Sequence, residues 1–235
     1  MRAARIAILG ALLALSTTGC SPVSAVAPHV HRFVIGHSAE GSPIVAVEVG
    51  DPASPFKELV VGCIHGNECA GIAVAELLET LPVPGVDLWV VPDLNPDGHA
   101  AGTRENGRGV DLNRNFPWHW RRLRGIFASG PSPLSEPESR AVRRLILRVR
   151  PQISIWFHQH MDLVDESGGN GSVERRFASL VGLSVRRLPR YPGGVTSWEN
   201  SAMPGTTAFV VELPAGELPA EDVVRYADAV LDITG

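Results

Sequence analysis

Apolar, β-branched runs alternating with segments of helical periodicity constrain this chain more than any other feature. Glu58 to Ile64, Val86 to Val91, Ile153 to Phe157 and Ala208 to Leu213 each read as a buried strand. Between and after them, Ala70, Ile72, Ala73, Leu77, Leu78 and Leu81 repeat at helical spacing up to Pro82. Glu138 to Val149 does the same up to Pro151, and Ala220 to Ile233 gathers Val223, Ala227, Val230 and Leu231 on one face. Strands that alternate with helices bury continuous apolar runs by winding into a sheet covered on both sides. The expectation is a single α/β domain whose central, twisted, mixed but mostly parallel sheet carries helices on both faces. Phe33 to Gly36 and Ile44 to Val49 flank Ser38-Ala39-Glu40-Gly41-Ser42 as a hairpin, Phe177 to Val181 reads as a short helix and Val185 to Leu188 as a short strand. Pro92 to Gly98 is rich in turn formers, and residues 104–137 form a long irregular stretch of the kind that carries function.

The 235 residues, 44% of them hydrophobic and 20% charged, supply one sizeable core. A formal net charge of −4 gives no sign of a nucleic-acid partner. Met1-Arg2-Ala3-Ala4-Arg5 followed by the apolar run Ile6 to Leu15 has the charged start and short apolar core of a secretory signal over residues 1–20. Thr17-Thr18-Gly19-Cys20 resembles a lipoprotein cleavage box, which makes Cys20 the attachment point of a lipid anchor; cleavage after Val23-Ser24-Ala25 is the competing reading. Either way the protein is expected to be exported, as a cell-surface lipoprotein or in secreted or periplasmic form. Residues 21–32 read as a tether, with His29 and His31 in it, and 33–235 as the functional domain. Export permits a disulfide. Joining Cys63 to Cys69 requires the turn between them to bring their Cα atoms within about 7 Å, and two unpaired, buried cysteines are the preferred reading.

In open α/β sheets ligands bind beyond the carboxyl ends of the strands. Three strands here end in groups suited to hydrolysis: His65 with Glu68, His158, and Glu212. His-x-x-Glu alone is weak, since about half a match arises by chance in a chain of this composition. A second copy, His37-Ser38-Ala39-Glu40, falls in the hairpin turn and serves as a decoy. Convergence is what lifts the first copy. Two histidines and a glutamate are a known catalytic ligand set for a single Zn2+ ion, with one position left open. A carboxylate not bound to the metal is then needed to accept the proton of a water, and Glu212, at the end of an apolar strand, is the candidate. His160 shares strand parity with His158; His158 is preferred because it ends the apolar run as His65 does.

Between these strands lies Gly109-Val110-Asp111-Leu112-Asn113-Arg114-Asn115-Phe116-Pro117, downstream of His65-Gly66-Asn67-Glu68. Together they resemble the zinc metallocarboxypeptidases of the carboxypeptidase A type, and within them the compact bacterial murein peptide amidase-like members. The likeness spans about residues 33–233. The hairpin Gly36 to Ile44 also resembles the opening of many members, which makes the His37 decoy structural. Carried over residue by residue, the resemblance implies that His65, Glu68 and His158 bind zinc and that Glu212 is the general base. It implies that Asn113 and Arg114 grip the terminal carboxylate of a peptide substrate and that Arg104, favoured over Arg108 and Arg121 by the Arg-x-Asn spacing, stabilises the oxyanion. Tyr191, in Tyr191-Pro192-Gly193-Gly194, is the candidate for the substrate-binding tyrosine of larger members. The chain departs from the family around the third histidine, where an aspartate usually stands two residues earlier and a small residue follows; here the sequence is Trp156-Phe157-His158-Gln159-His160.

The implied reaction is hydrolysis of an amide next to a free carboxylate, with the γ-D-glutamyl–diaminopimelate bond of cell-wall peptides as the implied substrate. A deacylase of the aspartoacylase or succinylglutamate desuccinylase type shares His-Gly-Asn-Glu and Asp-Leu-Asn-Arg and stands as the alternative. A non-catalytic peptide-binding module is a third reading, which the presence of Glu212 disfavours. His99 and His119 read as solvent-facing loop residues, and Trp118, Trp120 and Trp198 as packing beneath the long loops.

Overall fold

The structure, a computed structural model, describes residues 29–233. The expected signal segment, Cys20 and the tether up to residue 28 lie outside the described residues. Among the described residues eight strands form one sheet: β1 (Val30–His37), β2 (Pro43–Gly50), β3 (Lys57–Val61), β4 (Asp87–Val91), β5 (Ile153–Gln159), β6 (Leu163–Asp165), β7 (Ser184–Arg186) and β8 (Thr207–Leu213). Six α-helices accompany them among the described residues: α1 (Gly71–Leu78), α2 (Pro96–Ala101), α3 (Pro137–Val149), α4 (Gly171–Val181), α5 (Val195–Ala202) and α6 (Ala220–Asp232). The spatial order is β1-β2-β4-β3-β5-β8-β6-β7. The four central strands β4, β3, β5 and β8 run parallel, while β1–β2, β2–β4 and β6–β8 are antiparallel, so the sheet is mixed around a parallel centre, as expected.

Two apolar layers cover the sheet. Val60, Ile155, Phe157, Phe209 and Val211 pack with Val74 and Leu78 of α1, Phe177 of α4 and Tyr226 and Val230 of α6. On the opposite face Leu59, Val61, Trp156 and Val210 meet Val142, Leu145 and Ile146 of α3 and Trp198 of α5. Adjacent residues of one strand therefore serve opposite layers, and burial on both sides is why these strands are apolar throughout rather than alternating. From β3 the chain crosses through α1 to β4 on one side, then returns through α3 to β5 on the other. The topological switch point thus falls between β3 and β5.

Several elements differ from the sequence expectation. Strand β1 begins at Val30, so His31 belongs to the sheet and not to the tether. The turn-rich segment after Pro92 contains α2, for which Asn95 accepts a hydrogen bond from the Gly98 N–H, Pro96 takes the first helical position and Gly102 closes the helix with φ of 64°. Helix α5 and strand β6 were not foreseen. Residues 104–136 are irregular apart from two 3-10 turns, and buried asparagines replace the missing ladder bonds. Asn106 Nδ2 donates to Glu136 and Glu138 at 3.0 and 3.1 Å, and Asn115 Nδ2 donates to Ser129 O and Ser135 Oγ at 2.9 Å each. No helix among the described residues is long and apolar enough to cross a membrane.

Candidate active site

The switch point collects the chemistry. Strand β3 ends at Val61, and the chain turns through Gly62 to Glu68 before α1, with the Glu68 N–H donating to His65 O at 2.9 Å. Gly66 has no room for a side chain, because a Cβ there would collide with the Gly98–His99 backbone of α2. Cys63 and Cys69 form a disulfide across this turn, with Cα atoms 4.7 Å apart, which corrects the reading of two unpaired cysteines. The turn satisfies the distance requirement because it curls back on itself within six residues.

His65 Nδ1 lies 2.9 Å and His158 Nδ1 3.0 Å from the same oxygen, Glu68 Oε2. One ligand atom from each of the three residues falls within 4.8 Å of the others. On the far side of its ring, His65 Nε2 is 3.0 Å from Asp111 Oδ1, the carboxylate–histidine arrangement that fixes which nitrogen faces a metal. Two imidazole nitrogens and a carboxylate converging with a braced outer shell fit a zinc site. His160 is exposed, beyond the end of β5, and stands outside this cluster.

The charges are tightly arranged. Burial pushes the Glu68 carboxyl upward, but hydrogen bonds and charge from His158 and His65 outweigh it and hold the group well below the usual carboxylate range. Asp111 behaves alike: burial opposes ionisation, while His65, Arg104 and Arg114 favour it and prevail. For His65 burial disfavours the cation, yet Asp111 and Glu68 raise its pKa. Arg104 Nη1 donates to Glu68 Oε1 at 2.7 Å and Nε to Asp111 Oδ2 at 3.0 Å, so it stands against the ligand cluster. Arg108 lies 4.0 Å from Glu136 and Arg121 is exposed, and neither lines the cavity.

Glu212 pairs in register with His158 on the neighbouring strand, so the two side chains leave the same face of the sheet. It is 9% exposed, and Oε2 is buried with no hydrogen-bond partner. A buried, unpartnered carboxylate oxygen is costly unless it is kept for another group. Glu212 opens on a cavity of about 390 Å³ that also holds His65, Glu68, Arg104, Asn113, Arg114 and Tyr191. Asn113 Oδ1 accepts the Val195 N–H at 2.9 Å, which leaves its NH2 as the remaining polar group. Arg114 donates from Nη1 to Asn113 O at 2.8 Å, keeps Nε buried without a partner, and stacks 4.5 Å from the Tyr191 ring centroid. Tyr191 is 44% exposed and stacks on Phe127 at 5.7 Å. Gly193, at φ of 78°, lets the loop after Tyr191 pack directly on the Arg114 backbone.

All eight sequence-chosen residues meet in this cavity. Sequence reasoning missed Asp111, although it stands two residues before Asn113 in the quoted run. It also missed Gln159, whose side chain accepts from the Ala70 N–H at 3.0 Å and donates to Pro214 O and Gly216 O at 2.8 and 2.7 Å, tying β5 to the start of α1. The decoy behaves as a turn: Ser38 Oγ and the Glu40 N–H both donate to Asp97, at 2.6 and 2.9 Å. Trp198 packs on Phe116 at 5.4 Å, in keeping with a packing role.

A sequence model described as zinc carboxypeptidase matches residues 23–167. Murein peptide amidase A of Escherichia coli (strain K12) is 31% identical over 146 residues, which cover 56% of this chain and 60% of that protein, so the match spans less than two thirds of that relative's length. The protein of the same name from Vibrio campbellii is 30% identical over 196 residues, covering 76% of this chain and 77% of its own. Among solved structures, the murein-tripeptide amidase MpaA from Escherichia coli O157 superposes with a TM-score of 0.71 at 24% identity, over 85% of this chain and 91% of that one. Carboxypeptidase A from Helicoverpa armigera gives 0.72 at 19% identity, over 86% and 66%. These two likenesses establish the fold.

Proposed function

The chain belongs to the zinc carboxypeptidase family, and from that premise we propose that it is a zinc-dependent peptidase that hydrolyses an amide bond next to a free carboxylate. The observation that carries this reading is the convergence of His65, Glu68 and His158 with an unpartnered Glu212 in one cavity that also holds Asn113 and Arg114. His65, Glu68 and His158 would hold the zinc ion, which when bound would supply Lewis acidity to a carbonyl and lower the pKa of a water. The substrate's free carboxylate docks on the Arg114 guanidinium and the Asn113 amide, which sets the scissile bond over the cluster. Glu212 takes a proton from the attacking water and passes it to the departing nitrogen. Arg104 meets the developing oxyanion. Tyr191, stacked above Arg114, closes over the docked residue.

The substrate class we propose is a cell-wall peptide, with the γ-D-glutamyl–diaminopimelate amide as the bond cleaved. Support comes from the names of the two bacterial relatives and from the export signal read in residues 1–20. Export, and a lipid anchor at Cys20, are part of this proposal. The test compares hydrolysis of a γ-D-glutamyl–diaminopimelate peptide with that of N-acyl amino acids, in the wild type and in Glu212→Gln. The proposal requires the peptide to be cleaved, the acyl amino acids to be poor substrates, and Glu212→Gln to keep its zinc while losing turnover. Faster cleavage of acyl amino acids transfers the assignment to a deacylase, and loss of zinc from Glu212→Gln removes its role as a base.

A further inference from the structure

One cation in the cavity has no part in the reaction just described. Arg190 lies directly before Tyr191 and lines the same cavity. Its Nη1 donates to Asp165 Oδ2 at 2.6 Å and its Nη2 donates to Glu166 O. Asp165, at the end of β6, is 3% exposed and already committed: Oδ1 accepts the Leu188 N–H at 2.9 Å and Oδ2 accepts Ser167 Oγ at 2.9 Å. Asp165 therefore fixes the guanidinium in place and has no free face for a substrate ammonium. Arg190 is partly exposed, and its Nε and second Nη hydrogens have no partners among the described residues.

A clamped guanidinium with unused donors presents a rigid fork that matches a carboxylate. Asp165 weakens the attraction without cancelling it, because a carboxylate docked on the free edge is closer to the guanidinium than to the aspartate behind it. The terminal carboxylate of a substrate is already taken by Arg114 and Asn113, so the anion that Arg190 awaits belongs to the side chain of the same residue.

Resting on the peptidase reading, we propose that Arg190 is the specificity-determining residue of this cavity and that it selects, on the leaving side of the scissile bond, a residue whose side chain ends in a second carboxylate. Asp165 is its positioning residue. The class includes aminodicarboxylic and diaminodicarboxylic acids of long chain.

The test uses the zinc-loaded protein and a common γ-D-glutamyl group amide-linked to α-aminopimelate, norleucine or lysine. Wild type is expected to show kcat/KM at least tenfold higher for the aminopimelate amide than for the norleucine amide, with lysine lowest, in line with a charge-assisted pair of roughly 10- to 100-fold. Calorimetry with free α-aminopimelate and norleucine is expected to show the same order. Arg190→Gln combined with Asp165→Asn, which removes both charges and leaves no lone buried carboxylate, is expected to bring the ratio to about one. Equal use of the three substrates, a preference for lysine, or a ratio that survives in the variant overturns the proposal, and the wild-type series decides even if the variant fails to fold. Should wild type cleave none of the three, the peptidase reading falls, while calorimetry still judges Arg190: preferential binding of α-aminopimelate supports it and equal binding overturns it.

Discussion

Glu199 offers a quantitative test of how the strand carrying His158 is supported. It sits on α5 with no exposure, and its carboxyl accepts from Ser154 Oγ and Trp156 Nε1, both on β5, at 2.7 Å each. Burial pushes its pKa from 4.5 up to about 7, against the smaller opposing effect of the two hydrogen bonds. Between those values the folded protein holds a proton that the unfolded chain has released. The stability from this group is therefore fully present below pH 4.5 and is lost as pH rises to about 7. A shift of that size corresponds to about 3 kcal/mol, of which about 2.5 kcal/mol falls between pH 5 and pH 8. Glu199→Gln imitates the protonated form, since its carbonyl can accept from Trp156 and its amide can donate to Ser154 Oγ. Denaturant unfolding of both proteins at pH 5, 6, 7 and 8 should show near-equal stability at pH 5 and a variant more stable by about 2.5 kcal/mol at pH 8. The difference between the two proteins isolates Glu199 from Glu58 and Glu174, whose carboxyls burial also raises, to about 8 and about 7. A difference that stays constant with pH, or a variant already weaker by 2 kcal/mol or more at pH 5, would refute the reasoning.

Asp111→Asn removes the charge that orients His65 and should weaken zinc binding by roughly 10- to 100-fold, measured by chelator competition, with folding intact. Cys63→Ser with Cys69→Ser should cost about 2 kcal/mol of unfolding free energy, because the bridge closes only a short loop. The same change should lower zinc affinity, since that loop carries both His65 and Glu68. Unchanged stability under reducing and non-reducing conditions would show that the bridge contributes nothing.

The parallel centre of the sheet was legible because its strands are buried on both faces and leave unbroken apolar runs. The candidate site residues were legible for a related reason: His65, His158 and Glu212 each interrupt such a run at its carboxyl end. What escaped depends on contacts distant in sequence. Asp111 acquires its role only when the long loop lays it against His65, and the cysteines pair only because the turn curls back. Helix α5 hides behind Thr196, Ser197 and Glu199, polar residues that are buried in it and erase its apolar periodicity. Strand β6 has three residues, too few for any period. Arg190 and Asp165, 25 residues apart, meet only because the fold brings the end of β6 and the loop before Tyr191 to one cavity.

The central claim is a zinc site made by His65, Glu68 and His158, and metal analysis of chelator-free protein tests it most directly. One zinc per chain in the wild type and in His160→Ala, with none in His158→Ala, is the predicted result. Absence of stoichiometric metal in the wild type, or its loss in His160→Ala with retention in His158→Ala, would contradict the account.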